Sequence, residues 1–281
     1  MLSLALSCPG AHAADAGIFS IVEGEARVLR DTTWYKLVPG ARFQEGDILA
    51  ARGIGQVQVE LATGGAFNLG SPATMFVVAI PAIGGKAAGP MDVALEEGWL
   101  KFAATAPSGG IRVQFESASL LANDGIAVIR VQPGTAEVFV ETGSAKLAEV
   151  APRGGPSPAT MELKSGEFAA LSAQGSPRVD RRAPATFVAA IPRHLIDPLP
   201  AVSAKYKDAK IRLPAEQEVS FAEAEPWLAG PYRKIFIRRF QPRLKDPTFR
   251  ADVEARISQF PEWDRVLHPE RYLPRAPAKA Q

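Results

Sequence analysis

From Gly17 to about Val179 apolar and polar residues alternate in short runs that glycine interrupts. Ile18-Phe19-Ser20-Ile21-Val22 leads to Glu23-Gly24, and Glu25-Ala26-Arg27-Val28-Leu29-Arg30 alternates behind it. Gln56-Val57-Gln58-Val59-Glu60-Leu61 puts Val57, Val59 and Leu61 on one side, as a strand does, because successive strand side chains point to opposite faces. Ile111-Arg112-Val113-Gln114-Phe115 and Ala136-Glu137-Val138-Phe139-Val140 repeat the theme, and helical spacing is hard to find. The region is predicted to be all β.

Four stretches echo one another: Glu23-Gly24 to Val28, Glu97-Gly98 to Phe102, Thr142-Gly143 to Leu147, and Ser165-Gly166 to Ala170. Each predicts a turn with Gly where φ is positive, followed by a strand with alternate residues buried. Their separations are irregular, so no strict short repeat is implied. Recurrent turn-plus-strand units predict stacked or wrapped hairpins, a β-solenoid-like or irregular β-sandwich domain over residues 17–180. Pro81 to Pro90 and Pro152 to Pro158 are rich in Pro and Gly and predict surface loops, and Arg181-Arg182-Ala183-Pro184 predicts a linker.

Beyond the linker the pattern changes to a small α+β unit over 181–272, with a flexible tail at 273–281. Ser220-Phe-Ala-Glu223 is a capping-box arrangement opening a short helix that Gly230-Pro231 closes. Tyr232 to Phe240 alternates and predicts a strand. Asp246-Pro247 offers an N-cap with Pro at the first helical position. Phe249, Val253 and Ile257 then share one face of a helix to about Gln259, which Pro261 stops.

Charge sharpens this division. Residues 1–180 carry 13 Lys+Arg against 18 Asp+Glu, whereas residues 181–281 carry 19 against 12. Two units with different surfaces fit that polarity. Met1 to Ser7 is apolar, and Ala11-His12-Ala13 has the small residues of a signal-peptidase site, so residues 1–13 read as a signal peptide and the protein as exported to the periplasm. No Lys or Arg precedes the apolar run, which suits a natural start upstream of Met1. Cys8 as a lipoprotein cysteine is the minor alternative, with Ala5 where such a motif usually has Leu. Cys8 is the one cysteine, so disulfides, thiolate zinc sites and Cys nucleophiles are excluded from the processed chain. The most apolar later stretch, Ala73 to Ile83, is too short and Pro-interrupted to span a bilayer.

Candidate chemistry is sparse. His194 and His268 stand far apart with no ligand cluster near either, and they read as surface or loop residues. Gly64-Gly65 and Gly84-Gly85 lie in β-turn contexts with no following helix to hold a phosphate. Ser71 lacks the surroundings of an activated nucleophile. Glu96 and Glu97 are adjacent on a strand and diverge, while Glu223 and Glu225 suit the start of a helix. No catalytic residue, cofactor or metal site is therefore expected. The densest charge is Arg233, Lys234, Arg238, Arg239, Arg243 and Lys245, interleaved with Tyr232, Phe236 and Phe240. It reads as a solvated face with internal ion pairs, or as a surface for an acidic partner or anionic envelope polymer. Export argues against nucleic acid. Trp227 and Trp263 read as core anchors of the C-terminal unit, with an interface role the alternative.

With these motifs in place, the run from Gly17 to Val78 resembles the start of an FecR-type domain, named for the bacterial iron-dicitrate sensor. The matching features are Val22-Glu-Gly24 with Val28, Trp34…Leu37-x-x-Gly40, Gly46-Asp47-x-Leu49, the strand Val57 to Leu61, and Gly65-x-Phe67-x-Leu69 before Ser71-Pro72. Glu97-Gly98 to Phe102, Ile111 to Phe115, Asp124-Gly125 to Val131, Ala136 to Leu147 and Gly166-Glu167-Phe168 continue the order. Where the family usually shows Gly-Thr-x-Phe-x-Val, this chain reads Gly125-Ile126-Ala127-Val128-Ile129-Arg130-Val131, keeping the strand but not the Thr or the aromatic. The resemblance implies a solenoid-like periplasmic domain that passes messages by contacting other proteins. The resemblance does not extend to the sigma-factor-regulating segment of iron-signalling members, and that role is not carried over. The expectation is a non-enzymatic interaction and signalling module with an envelope protein partner. A polysaccharide- or peptidoglycan-binding module is the alternative; it requires exposed aromatics, Trp34 and Trp99 first.

Overall fold

The computed structural model describes residues 16–81, 89–106, 109–115, 118–149, 160–172 and 175–272. The signal-peptide reading of 1–13, the Pro152 to Pro158 loop, Gly84-Gly85 and the 273–281 tail lie outside these residues, as does most of Pro81 to Pro90.

Alternation carries through into strands β1 (Gly17–Arg30), β2 (Thr33–Lys36), β3 (Arg42–Phe43), β4 (Ile48–Leu61), β5 (Ala66–Ala79), β6 (Met91–Ala104), β7 (Ile111–Phe115), β8 (Ala118–Gln132), β9 (Thr135–Glu149), β10 (Thr160–Lys164), β11 (Phe168–Ser172) and β12 (Gly175–Asp180). They join one mixed sheet in the order β12-β11-β9-β8-β7-β6-β5-β4-β1-β2, with β3 on β1 and β10 on β9. β6 and β7 run parallel, while β4–β5, β5–β6 and β8–β9 are antiparallel. The chain is mainly β, as the alternation predicts, with a small helical C-terminal region.

β1, β4, β5, β6, β8 and β9 are each 14 or 15 residues long, more than twice the common strand length of about 5–6. Each is most exposed near its middle and buried on either side. The ladders lose register at these middles, between Ala51 and Gln56, Gly70 and Thr74, and Leu121 and Asp124. In β6 the inward set changes from Met91, Val93 and Leu95 to Leu100, Phe102 and Ala104. In β8 it changes from Ala118, Leu120 and Ala122 to Ala127, Ile129 and Val131. The odd-even switch marks an extra residue at a bulge, which bends the strand and keeps both halves facing one core. That core includes a chain of edge-on rings, Phe19 to Phe43 at 5.7 Å and Phe43 to Phe67 at 5.4 Å.

Glycine sits at the bends because neighbouring backbones touch there. A Cβ on Gly55 would lie 2.1 Å from the Glu23 carbonyl oxygen and 2.9 Å from Gly24 Cα. A Cβ on Gly143 would meet the Asp124 carbonyl oxygen at 2.4 Å and Gly125 Cα at 2.9 Å. This corrects three of the four predicted turns. Gly24, Gly98 and Gly143 do have positive φ, but they lie inside strands, whereas Gly166 forms a turn between β10 and β11. A corner and a turn make the same demand on φ, and only the pairing partners tell them apart.

Contacts divide the described residues into two units, one of those up to Val28 with those of Tyr35–Pro214, the other of Leu29–Trp34 with those from Ala215. The predicted linker at 181–184 therefore leads into a segment of the first unit, containing α1 (Ala185–Ala190), α2 (Arg193–Ile196) and a 3-10 turn at Ser203–Tyr206. Phe187 and Leu195 are buried against the sheet and hold it there.

The second unit contains β13 (Ala215–Glu218), α3 (Phe221–Ala229), α4 (Arg233–Phe240), α5 (Pro247–Glu254) and α6 (Pro261–Leu267). Ser220 caps α3 in a reciprocal box with Glu223, and Asp246 caps α5 by accepting from the N–H of Thr248 and Phe249. Tyr232 to Phe240, predicted as a strand, is a helix. Tyr232, Phe236 and Phe240 recur at helical spacing, and Phe236 stacks on Phe240 at 5.5 Å and packs on Trp227 at 5.1 Å. α5 ends at Glu254, short of Gln259, and Pro261 starts α6 as its first residue.

Candidate interaction surfaces

The outward side chains of adjacent strands form a lateral row across the first unit's sheet. Gln58 of β4 pairs with Asn68 of β5, Asn68 with Lys101 of β6, Lys101 with Val128 of β8, Val128 with Phe139 of β9, and Phe139 with Phe168 of β11. Ser20 extends it at β1, its hydroxyl accepting from Gln58 Nε2 at 3.0 Å. The row is polar at one end and apolar at the other. Its polar members Ser20, Gln58, Asn68 and Lys101 are all buried.

Residues 183–203 cover this row as a strap. At the apolar end Phe187 inserts between Trp99, Phe139 and Phe168, at ring distances of 5.3, 6.4 and 5.0 Å. Arg130 lies over the Trp99 ring at 5.1 Å. In the middle Lys101 Nζ donates to the carbonyls of Leu195, Ile196 and Asp197, the exposed C-terminal end of α2, and pairs with Glu141 at 2.9 Å. At the polar end Gln58 Nε2 donates to Pro200 O at 2.7 Å, and Glu60 accepts from the N–H of Val202 and Ser203. Burial pushes the Glu60 carboxyl up, but bonds from Ser203, Val202 and Ser20 outweigh it and hold its pKa below the ordinary 4.5. Gly70 leaves room for the strap: a Cβ there would stand 3.1 to 3.2 Å from Leu195, His194 and Pro192. His194, expected as a surface or loop residue, has its Nε2 buried without a hydrogen bond among the described residues. Burial lowers its pKa, against an opposing pull from Glu23.

Neither the strap nor the row follows from the local pattern of the sequence. Trp99, Val128 and Phe139 do carry a signal, since large apolar residues on the outward face of a strand require a cover.

In the second unit the six basic residues separate into two sets. Arg233 pairs with Glu262 at 2.8 Å and donates to Leu228 O and Gln259 O. Arg239 donates to Leu29 O and Asp31 O while lying over Phe236 and Phe240. Arg243 donates to Val219 O, pairs with Asp246 and lies over Phe249. These three tie the unit together. Lys234, Arg238 and Lys245 are exposed and their side chains have no partner among the described residues. Arg238 and Lys245 border an open groove of about 500 Å³ that Arg250, Pro242, Val266 and Leu267 help line. Trp227 and Trp263 are core residues, and Trp263 Nε1 donates to Ile237 O at 3.0 Å.

The remaining candidates do not converge. Glu97 pairs with Arg52 and accepts from Thr74, Glu223 belongs to its capping box, and Glu225 pairs with Arg256. His268 lies 3.5 Å from Glu270. Trp34 and Trp99 are buried, so neither offers the exposed ring that glycan stacking requires. Among the described residues no group of three or more His, Cys, Asp or Glu side chains could hold a metal ion, and no helix is long and apolar enough to cross a membrane.

No family model matches the chain, and no curated protein matches it. Two crystal structures of a protein described as a candidate anti-sigma factor from Parabacteroides distasonis, at 1.65 and 2.50 Å resolution, are similar to it at a TM-score of 0.39 and 15% identity. Each likeness covers 48% of this chain and 59% of the other, so the chain spans little more than half the length of the structures it matches.

Proposed function

We propose that the chain is a non-enzymatic interaction and signalling module of the bacterial envelope, exported to the periplasm, that docks an acidic segment of a partner protein on its helical C-terminal unit. The observation that carries this reading is the groove bordered by Arg238 and Lys245. Two cations without internal partners flank apolar side chains, Val266 among them at 46% exposure. An acidic peptide with aliphatic residues meets both demands, the charges steering it and the groove fixing its register. The resemblance to FecR-type domains supports a role exercised through protein contact, and Ala11-His12-Ala13 supports export. Lys234 and Lys245 serve as reporters in the test. Carbodiimide cross-linking in the native envelope is expected to join their amines to carboxyls in an acidic stretch of one protein. Arg238→Glu with Val266→Asp, which leaves both lysines in place, is expected to abolish those cross-links. Cross-links that persist unchanged in that variant would remove the groove as the docking site.

A further inference from the structure

The basic excess of the C-terminal part resides mostly in the strap and its continuation. Residues 181–214 carry seven Lys and Arg, namely Arg181, Arg182, Arg193, Lys205, Lys207, Lys210 and Arg212, against only Asp197 and Asp208. All seven are exposed, and among the described residues no hydrogen bond, ion pair or ring contact engages any of their side chains.

Their direction is fixed by what holds the segment from behind. Phe187 and Leu195 are buried in the apolar pocket of the sheet. Tyr206 and Ile211 both lie against Gly40, where an added Cβ would come within 2.7 Å of the tyrosine ring and 3.1 Å of the isoleucine methyl. Leu213 packs on the main core. Arg42 donates to the carbonyl of Lys207. The inward side chains of this segment are thus engaged by the first unit, while all seven cations are exposed to solvent. Two large aliphatic side chains that take no part in this anchoring are exposed along the same segment: Val188 at 49% and Ile196 at 58%.

We infer that residues 181–214 form a surface that adsorbs to an anionic lipid bilayer. A polybasic strip of four to eight cations is the pattern that anionic head groups attract, at about fivefold in affinity for each charge near the surface. Exposed aliphatics between the charges add apolar contact at the acyl boundary. The cluster Lys205, Lys207, Lys210 and Arg212 is lysine-rich, which suits diffuse attraction to many head groups better than the bidentate grip on single carboxylates that favours arginine. Single-stranded nucleic acid would call for aromatic platforms among the charges, and the exposed large side chains here are aliphatic. The surface belongs to the first unit and the docking groove to the second, so the two are separable by mutation. Adsorption through residues 181–214 would orient the module on a membrane.

The test is flotation of the full chain with vesicles of phosphatidylcholine alone and of phosphatidylcholine mixed in equal parts with phosphatidylglycerol. Binding is expected only to the mixed vesicles, and it is expected to weaken as salt is raised. Lys205→Gln, Lys207→Gln, Lys210→Gln and Arg212→Gln combined are expected to reduce it by roughly several hundred-fold. Ile196→Ser is expected to weaken it further at high salt. Lys234→Gln, Arg238→Gln and Lys245→Gln combined are expected to leave it unchanged, which separates this surface from the groove. Equal binding to both vesicles, or full binding by the quadruple variant with its thermal melt intact, would overturn the inference. Tighter binding of a single-stranded oligonucleotide than of the mixed vesicles at equal salt would replace the bilayer by nucleic acid.

Discussion

Lys101 of β6 donates its ammonium to the carbonyl of Leu195 at 3.0 Å, across 94 residues of chain. The same nitrogen bonds Ile196 and Asp197 and pairs with Glu141. A lysine that alternation would send into water is instead 1% exposed, because the end of α2 and Glu141 bring it oxygen partners from four residues. The buried cation fastens the strap to the sheet, and the strap in turn keeps the cation from being an unpaired buried charge.

Lys101→Met is therefore expected to lower stability by about 3 kcal/mol in urea denaturation, since it strands Glu141 and frees three carbonyls. Adding Glu141→Leu should recover part of the loss. Brief trypsin treatment should cut the single variant at Arg193 faster than the parent. Equal cutting rates would mean that Phe187, Leu195, Gln58 and Glu60 hold the strap without help from Lys101.

The bend glycines allow sterics to be separated from backbone conformation. Gly55 does not have positive φ, yet a Cβ on it would collide with the Glu23 carbonyl at 2.1 Å. Gly134, between β8 and β9, has φ of 74° and nothing within 4 Å of an added Cβ. Gly55→Ala is expected to cost about 3 kcal/mol by forcing β1 from β4, and Gly134→Ala about 1 kcal/mol from the left-handed conformation alone. Similar losses in urea denaturation would show that the bend absorbs the methyl.

These glycines also mark how far the sequence can be read. The need for positive φ at Gly24, Gly98 and Gly143 is legible, because glycine weakens a strand interior and sits there where the backbone requires it. Whether the chain reverses there or bends depends on strands distant in sequence. The polar row is hidden for the same reason: positions 20, 58, 68 and 101 become neighbours only through register, and their cover comes from residues 195–203. Ser220 with Glu223 and Asp246 with Pro247 are readable because a helix cap is settled within four residues. α4 escapes a local reading because Ile235 and Ile237 also satisfy a strand rhythm, opposite Tyr232, Lys234, Phe236 and Arg238. The distinction lies in Trp227, whose ring packs on Phe236 and draws that face inward. The basic residues of this helix are legible as a group. Their division into Arg233, Arg239 and Arg243 on one side and Lys234, Arg238 and Lys245 on the other depends on carbonyls exposed elsewhere in the fold.

Acid should loosen the strap in two stages. The folded pKa of His194 lies below its ordinary 6.5, so between those values the unfolded chain binds more protons and stability falls as pH is lowered. Glu60 likewise has a depressed folded pKa, and its contribution is complete above 4.5 and lost as pH falls through the folded value. Hydrogen exchange at Val202 and Ser203 is expected to speed up, relative to the pH dependence of an unstructured peptide, first below 6.5 and again below 4.5. His194→Leu should remove the first stage and Glu60→Gln the second. A first stage that survives His194→Leu would assign it to another group.

Arg238 and Arg239 are neighbours in α4 with opposite tasks, and this contrast gives a clean test of the docking groove. Arg239 donates two charge-assisted bonds at 2.6 and 2.7 Å to Asp31 O and Leu29 O, and its guanidinium lies over two phenylalanine rings. Arg238 is exposed, borders the groove and has no partner of its own among the described residues. Arg239→Gln is expected to destabilise by about 2 kcal/mol, and Arg238→Gln by no more than about 0.5 kcal/mol. Affinity for the protein identified by cross-linking should respond in the reverse order: Arg238→Gln weakens it at unchanged stability, and Arg239→Gln weakens it only as far as unfolding accounts for. If partner affinity tracks stability in both variants, the groove does not hold the partner and the docking surface lies elsewhere on the chain.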